Sequence, residues 1–261
     1  MGMGVRHEGE SMVWRPESLA RPRPAEAGLL LVVAAGAWAG TVLLAQGMAE
    51  MTGTMGLDLA AFVAVWTLMM AAMMLPSVAP TASRYARSVS GRRTARIAGL
   101  AAGYLAVWAA AGMPAFGLAW LAGWVTERHP GAAHVFAVAA IAACGVYQLS
   151  APKDRCLTHC RAPLASSRPE GWARDLGAGA RHGAYCLGCC WALMVVLIAV
   201  GVMNVAAMVG LALVVVIEKT WRRGPAAGRV AGVAALGLAV AVIWLPWLAP
   251  GLHAAPPMMM G

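Results

Sequence analysis

The sequence predicts an all-α fold, a polytopic transmembrane helix bundle of about seven spans that includes one short hairpin. Hydrophobic residues make up 61% of the 261 residues and charged residues 12%, with a mean hydropathy of +0.69, far from the balance of a soluble domain. The apolar residues come in runs long enough to cross a hydrocarbon core of about 30 Å. The arginines fall in the short segments between those runs, the pattern that marks basic loops as cytoplasmic. That placement accounts for the formal net charge of +9 without nucleic acid as a partner. The lipid bilayer is the expected partner instead.

Residues 1–27 are of mixed charge and rich in proline, and are expected to form a disordered cytoplasmic tail. So long a charged segment ahead of the first apolar run is unlike a cleavable signal peptide. A transmembrane domain is expected over 28–248. Its first span, Gly28–Met48, is 21 residues long, about 31 Å of helix. Gly36 and Gly40 have the spacing of close helix packing. The segment 49–57 holds Glu50 and no Lys or Arg, so it is expected outside. A second span over 58–80 carries Met69, Met70, Met73 and Met74 in two turns before Pro76. The arginine-rich segment that follows (Arg84, Arg87, Arg92, Arg93, Arg96) is expected inside. A third run, 97–125, has Gly99 and Gly103 for packing and Trp120 and Trp124 for an interfacial belt. A fourth span over 132–151 contains Cys144.

The segment 152–181 is basic and reads as a cytoplasmic loop carrying CLTHC, with Cys156, His159 and Cys160. It leads into 184–217, 34 residues without a charged side chain, which opens on Cys186, Cys189 and Cys190. Basic segments flank this run on both sides. One helix of that length, about 51 Å, would leave one of them on the wrong face. Two short arms with a turn near Gly201–Asn204 resolve this, either crossing twice or re-entering from one side. The last span covers about 230–248. Residues 249–261 form a Met-rich tail with Met258, Met259 and Met260, expected outside.

This topology brings Met73 and Met74, the CLTHC motif and the three thiols of 186–190 to one face of the membrane. On a helix, i, i+3 and i+4 share one side, so each Cys motif presents its ligands together. Thiolate and thioether donors select copper(I). Zinc is the alternative metal for the thiolates. The candidate ligands are therefore Cys156, His159, Cys160, Cys186, Cys189, Cys190, Met73 and Met74. No catalytic constellation is read, so binding rather than catalysis is expected. The bland alternatives are core packing for the thiols, since free Cys is commonly buried, and gap-filling for the methionines. Cys144 reads as structural, Asn204 as a backbone cap, and Glu218 as the membrane edge. Two other functions are weighed: thiol–disulfide redox chemistry, and a structural or assembly subunit of a membrane complex.

At MMLPS (73–77), DRCLTHCRAP (154–163), YCLGCCWALM (185–194), GVMN (201–204) and EKTW (218–221), the chain resembles a bacterial family of integral membrane proteins of unknown function that are predicted to bind metal. Some members are labelled copper chaperones. A copper donor or acceptor protein is a further expected partner. The resemblance covers about 57–248 and implies a metal, with copper favoured. It names no reaction. Together these readings give a copper(I)-binding protein of the bacterial inner membrane that delivers, buffers or senses the metal, with its N-terminus cytoplasmic and its C-terminus external.

Overall fold

A computed structural model describes residues 24–48, 51–87, 92–164 and 171–252, with the side chains of 24–27 left aside. Its described residues form eight α-helices and no strand: α1 Pro24–Met48, α2 Leu59–Arg87, α3 Arg93–Arg128, α4 Pro130–Gln148, α5 Ala151–Arg161, α6 Trp172–Val200, α7 Val205–Thr220 and α8 Gly224–Trp244. Two 3-10 turns follow, Pro246–Leu248 and Pro250–Leu252. Residues 1–23 and 253–261, which include most of the expected N-terminal tail and Met258 to Met260, lie outside the described residues.

Six helices, α1, α2, α3, α4, α6 and α8, are long and apolar enough to cross a membrane. The expected count was seven. The difference is α7, whose 16 residues make about 24 Å of helix, short of a full crossing. The hairpin itself forms where the sequence predicts. Gly201 has a φ of +108°, a backbone state that a side chain strains. Asn204 then caps α7, its Oδ1 accepting from the Ala207 N–H at 3.0 Å. The turn is covered by the C-terminal 3-10 segment: a Cβ on Gly251 would lie 2.4 Å from Gly201 N, and Leu252 is buried.

The basic segment 152–181 is not a loop throughout. Residues 151–161 form α5, and α6 starts at Trp172, so Cys186 lies about four turns inside a helix rather than at its start. Charges that looked solvated are buried in pairs. Asp175 of α6 is 1% exposed and is bridged by Arg96 of α3, while the Tyr85 hydroxyl of α2 donates to its other oxygen at 2.5 Å. The glycines nearby are contact points. A Cβ on Gly103 would lie 2.0 Å from Leu176 O, and one on Gly179 would lie 1.9 Å from Leu100 O. The backbones of α3 and α6 therefore touch, as small residues at i, i+4 spacing allow. Gly99 and Gly103 serve the expected packing role. Among the described residues a Cβ on Gly36 would have nothing within 4 Å, and one on Gly40 would meet only the Leu68 side chain, so the pair on α1 makes no such contact with them.

Helix α2 likewise runs past its expected end, with Pro76 and Pro80 inside it. Its Ser77 and Ser83 hydroxyls donate back to Met74 O at 2.7 Å and Ala79 O at 2.9 Å, and neighbouring helices support it. The result places the second half of α2, the first halves of α3 and α6, α5 and the end of α7 at one end of the bundle.

Candidate metal centre

The centre is built on α6. Cys186, Cys189 and Cys190 are buried, and their sulfurs lie within 4.8 Å of one another. The Cys186 and Cys190 sulfurs are 3.9 Å apart. The Cys189 and Cys190 thiols donate back to the Cys186 carbonyl at 3.2 and 2.9 Å, which holds all three on one stripe. Among the described residues, these three form the group of His, Cys, Asp or Glu side chains compact enough for a metal ion.

Helix α5 brings a fourth sulfur. Ser150 caps its start and Pro152 occupies its first turn, an arrangement suited to a helix N-terminus. Cys160 is buried and its sulfur is 3.7 Å from that of Cys189. Cys156, half-buried, lies one turn earlier and rests against Gly188: a Cβ there would sit 2.7 Å from the Cys156 sulfur. The glycine of YCLGCCW is thus the seat of Cys156. Its carbonyl accepts the Tyr147 hydroxyl at 2.5 Å, fixing α4 to the same spot.

Both ends of α5 are tied to the end of α7. Lys153 Nζ donates to Glu218 Oε1 at 2.8 Å, with both residues 1% exposed. Gln148 Nε2 donates to the same oxygen at 3.0 Å. Arg161 Nη1 donates to the Glu218 carbonyl at 2.5 Å. Glu218 is therefore a buried anchor, where the sequence suggested a membrane edge. Gly224 and Gly228 of α8 make room for it: a Cβ on Gly228 would meet Lys153 Nζ at 2.7 Å, and one on Gly224 would meet Glu218 O at 2.0 Å.

Three polar groups at the cluster were not anticipated. Lys219 Nζ donates to the Cys186 sulfur at 2.7 Å and to Ser77 Oγ at 3.2 Å. The Tyr104 hydroxyl is hydrogen-bonded to the Cys186 sulfur at 2.9 Å. A signal for Lys219 existed in the sequence. Met208, Ala212, Val215, Glu218 and Lys219 are the buried residues of α7, and their spacing follows one helical stripe. The charges continue that inward face.

The remaining candidate ligands, Met73, Met74 and His159, fall in two places. Met73 and Met74 are fully buried on α2, and Met73 shares a helix face with Ser77, which reaches Lys219. His159 is exposed; its Nδ1 is 2.8 Å from the Arg155 carbonyl and its ring stacks on Tyr185 at 4.5 Å. It does not join the sulfur group. His182 is buried beside Tyr104, with ring centroids 5.9 Å apart. Cys144 is buried in α4.

The donor set suits a soft metal. With metal–sulfur bonds of about 2.3 Å, sulfurs around a tetrahedral or trigonal ion lie about 3.8–4.0 Å apart. The Cys160–Cys189 contact of 3.7 Å and the Cys186–Cys190 contact of 3.9 Å match that spacing. Hydrogen bonding to Cys186 and Cys189 together with burial pushes the Cys160 thiol up. Burial, and then the neighbouring Cys189, does the same to Cys156. Both hold protons that a metal would displace.

No curated protein and no solved structure matches the chain. Residues 63–242, well over half of the chain and the part holding all six cysteines, match the family model described as PpoB2, copper chaperone, and the chain belongs to that family.

Proposed function

We propose that this protein is a multi-pass membrane protein that binds copper(I) as cargo and passes it to, or buffers it for, a partner protein. The observation that carries the reading is the compact trio of Cys186, Cys189 and Cys190 sulfurs, all within 4.8 Å of one another, with Cys160 joining it 3.7 Å from Cys189. Four thiolates would also suit zinc. Copper is favoured by the family's description and by the methionines on the adjoining helix. Cys160, Cys186, Cys189 and Cys190 form the core ligand set. Cys156, Met73 and Met74 are the next donors, and His159 is a peripheral one.

The thiol end of the bundle faces the cytosol, where thiols stay reduced, and the membrane is the bacterial inner membrane. The arginines concentrated at that end support this orientation. A membrane-impermeant thiol reagent applied to whole cells is expected to leave Cys156 unlabelled; labelling would reverse the map.

Metal content of anaerobically purified protein tests the core of the reading. The wild type is expected to retain copper, and a variant with Ser at 186, 189 and 190 to lose it. Equal and negligible copper in both would sink the proposal. The Cys160–Cys189 contact also favours a redox reading, in which those two sulfurs join as a disulfide. Thiol counting by alkylation separates the two, since a redox pair would change its count between reduced and oxidised membranes.

A further inference from the structure

The thiol cluster is not sealed from its own end of the bundle. A cavity of about 330 Å³, lined by Ser77, Thr81, Arg84, Cys160, Arg161 and Lys219 among others, leads to it. The volume is at the lower end of the range of about 300–1,000 Å³ for small-molecule sites. Two of the lining residues belong to the centre itself. Cys160 touches Cys189, and Lys219 touches Cys186. The remaining wall is basic: Arg84 is exposed at the rim and Arg161 is half-buried, and among the described residues no carboxylate lines the cavity.

That charge distribution is wrong for a bare cation. A copper(I) ion approaching alone would move toward three like charges, whereas an anion is drawn in and concentrated by them. The cavity also ends on a thiol, so the anion it suits is one that can exchange sulfur ligands. We infer that copper(I) reaches the centre through this cavity as an anionic bis(thiolate) complex of a small carrier thiol; this rests on the copper reading above. The exchange balances without a redox change. The Cys160 sulfur forms a bond to copper, one copper–carrier bond breaks, and the Cys160 proton leaves on the departing carrier thiol. The mixed complex keeps its single negative charge beside Lys219 and Arg161. Exchange with Cys189, 3.7 Å from Cys160, releases the second carrier in the same way, and the Cys189 proton leaves on that carrier thiol.

Loading of the full-length, metal-free protein tests this anaerobically in detergent. Copper(I) is supplied either with excess reduced glutathione, an anionic thiolate complex, or as the cationic tetrakis(acetonitrile) complex. Arg84→Glu is expected to slow loading from the glutathione complex by about tenfold, and Arg84→Gln to slow it less. Loading from the acetonitrile complex should be unchanged or faster, and the final copper content equal to wild type. Arg87→Glu, the same charge change at an exposed residue outside the cavity wall, should stay within about twofold. Wild-type rates for Arg84→Glu with the glutathione complex, at full copper content, would overturn the inference. Wild-type protein that loads only from the acetonitrile complex would also overturn it, leaving the thiol centre intact. Failure to load from either source would remove the copper reading as well.

Discussion

Lys219 Nζ lies 2.7 Å from the sulfur of Cys186, so the central thiol of the cluster meets a buried ammonium carried by a different helix. A cluster of thiolates concentrates negative charge in a low-dielectric setting, and a buried charge needs a hydrogen-bonded partner. Lys219 supplies that partner, with Ser77 and Tyr104 completing the contacts around the pair.

Replacing Lys219 by Met keeps the side-chain length and removes the charge. A hydrogen bond to a charged group is worth about 1.5–3 kcal/mol, so copper(I) affinity should fall by about tenfold to a hundredfold at unchanged stoichiometry. Competition with a chromophoric copper(I) chelator reads this directly; an affinity equal to wild type would show that Lys219 is only a packing residue.

The Lys153–Glu218 pair is expected to behave as a unit. Breaking a buried pair from one side costs about 3–5 kcal/mol, whereas replacing both partners by apolar residues is often neutral. Lys153→Met alone and Glu218→Leu alone should each lower the thermal midpoint in detergent, and the double variant should recover most of the loss. Additive losses would mean that the two side chains do not share one interaction.

Gly188 should tolerate no side chain while Cys156 is present, because a Cβ there would lie 2.7 Å from the Cys156 sulfur. Gly188→Ala is expected to cost about 1–3 kcal/mol, the range for overpacking, and to raise the reactivity of Cys156 toward a maleimide as it is displaced. Adding Cys156→Ala should restore stability, since the clash is with the sulfur.

Copper binding should release protons and tighten as pH rises. The Cys160 and Cys156 thiols are held above the usual thiol range by their neighbours and by burial, so both remain protonated at neutral pH. Raising the pH lowers the work of displacing those protons, and apparent affinity should grow by about tenfold per pH unit for each proton released. Competition titrations at pH 6, 7 and 8 check the sign and slope. A flat profile would place copper on groups that carry no proton.

Hydropathy and charge placement alone determined the class of this protein, most of its spans, and the hairpin turn at Gly201–Asn204, because these depend on local composition and backbone preference. The spacing of each Cys motif was also local, and it put Cys186, Cys189 and Cys190 on one face. Tertiary structure decided what lay between motifs. Arg96, Lys153, Asp175, Glu218 and Lys219 read as loop or edge charges, since sequence pricing of a charge assumes that water is its partner. In the fold each has a partner on another helix, and that pairing lets α5 and α6 extend through the segment expected to be a loop. The same long-range pairing sorted the candidate ligands. It turned Cys160 toward Cys189 and left His159 stacked on Tyr185, although both lie in one motif, because helix α5 has two sides and only its neighbours determine which one faces the thiols.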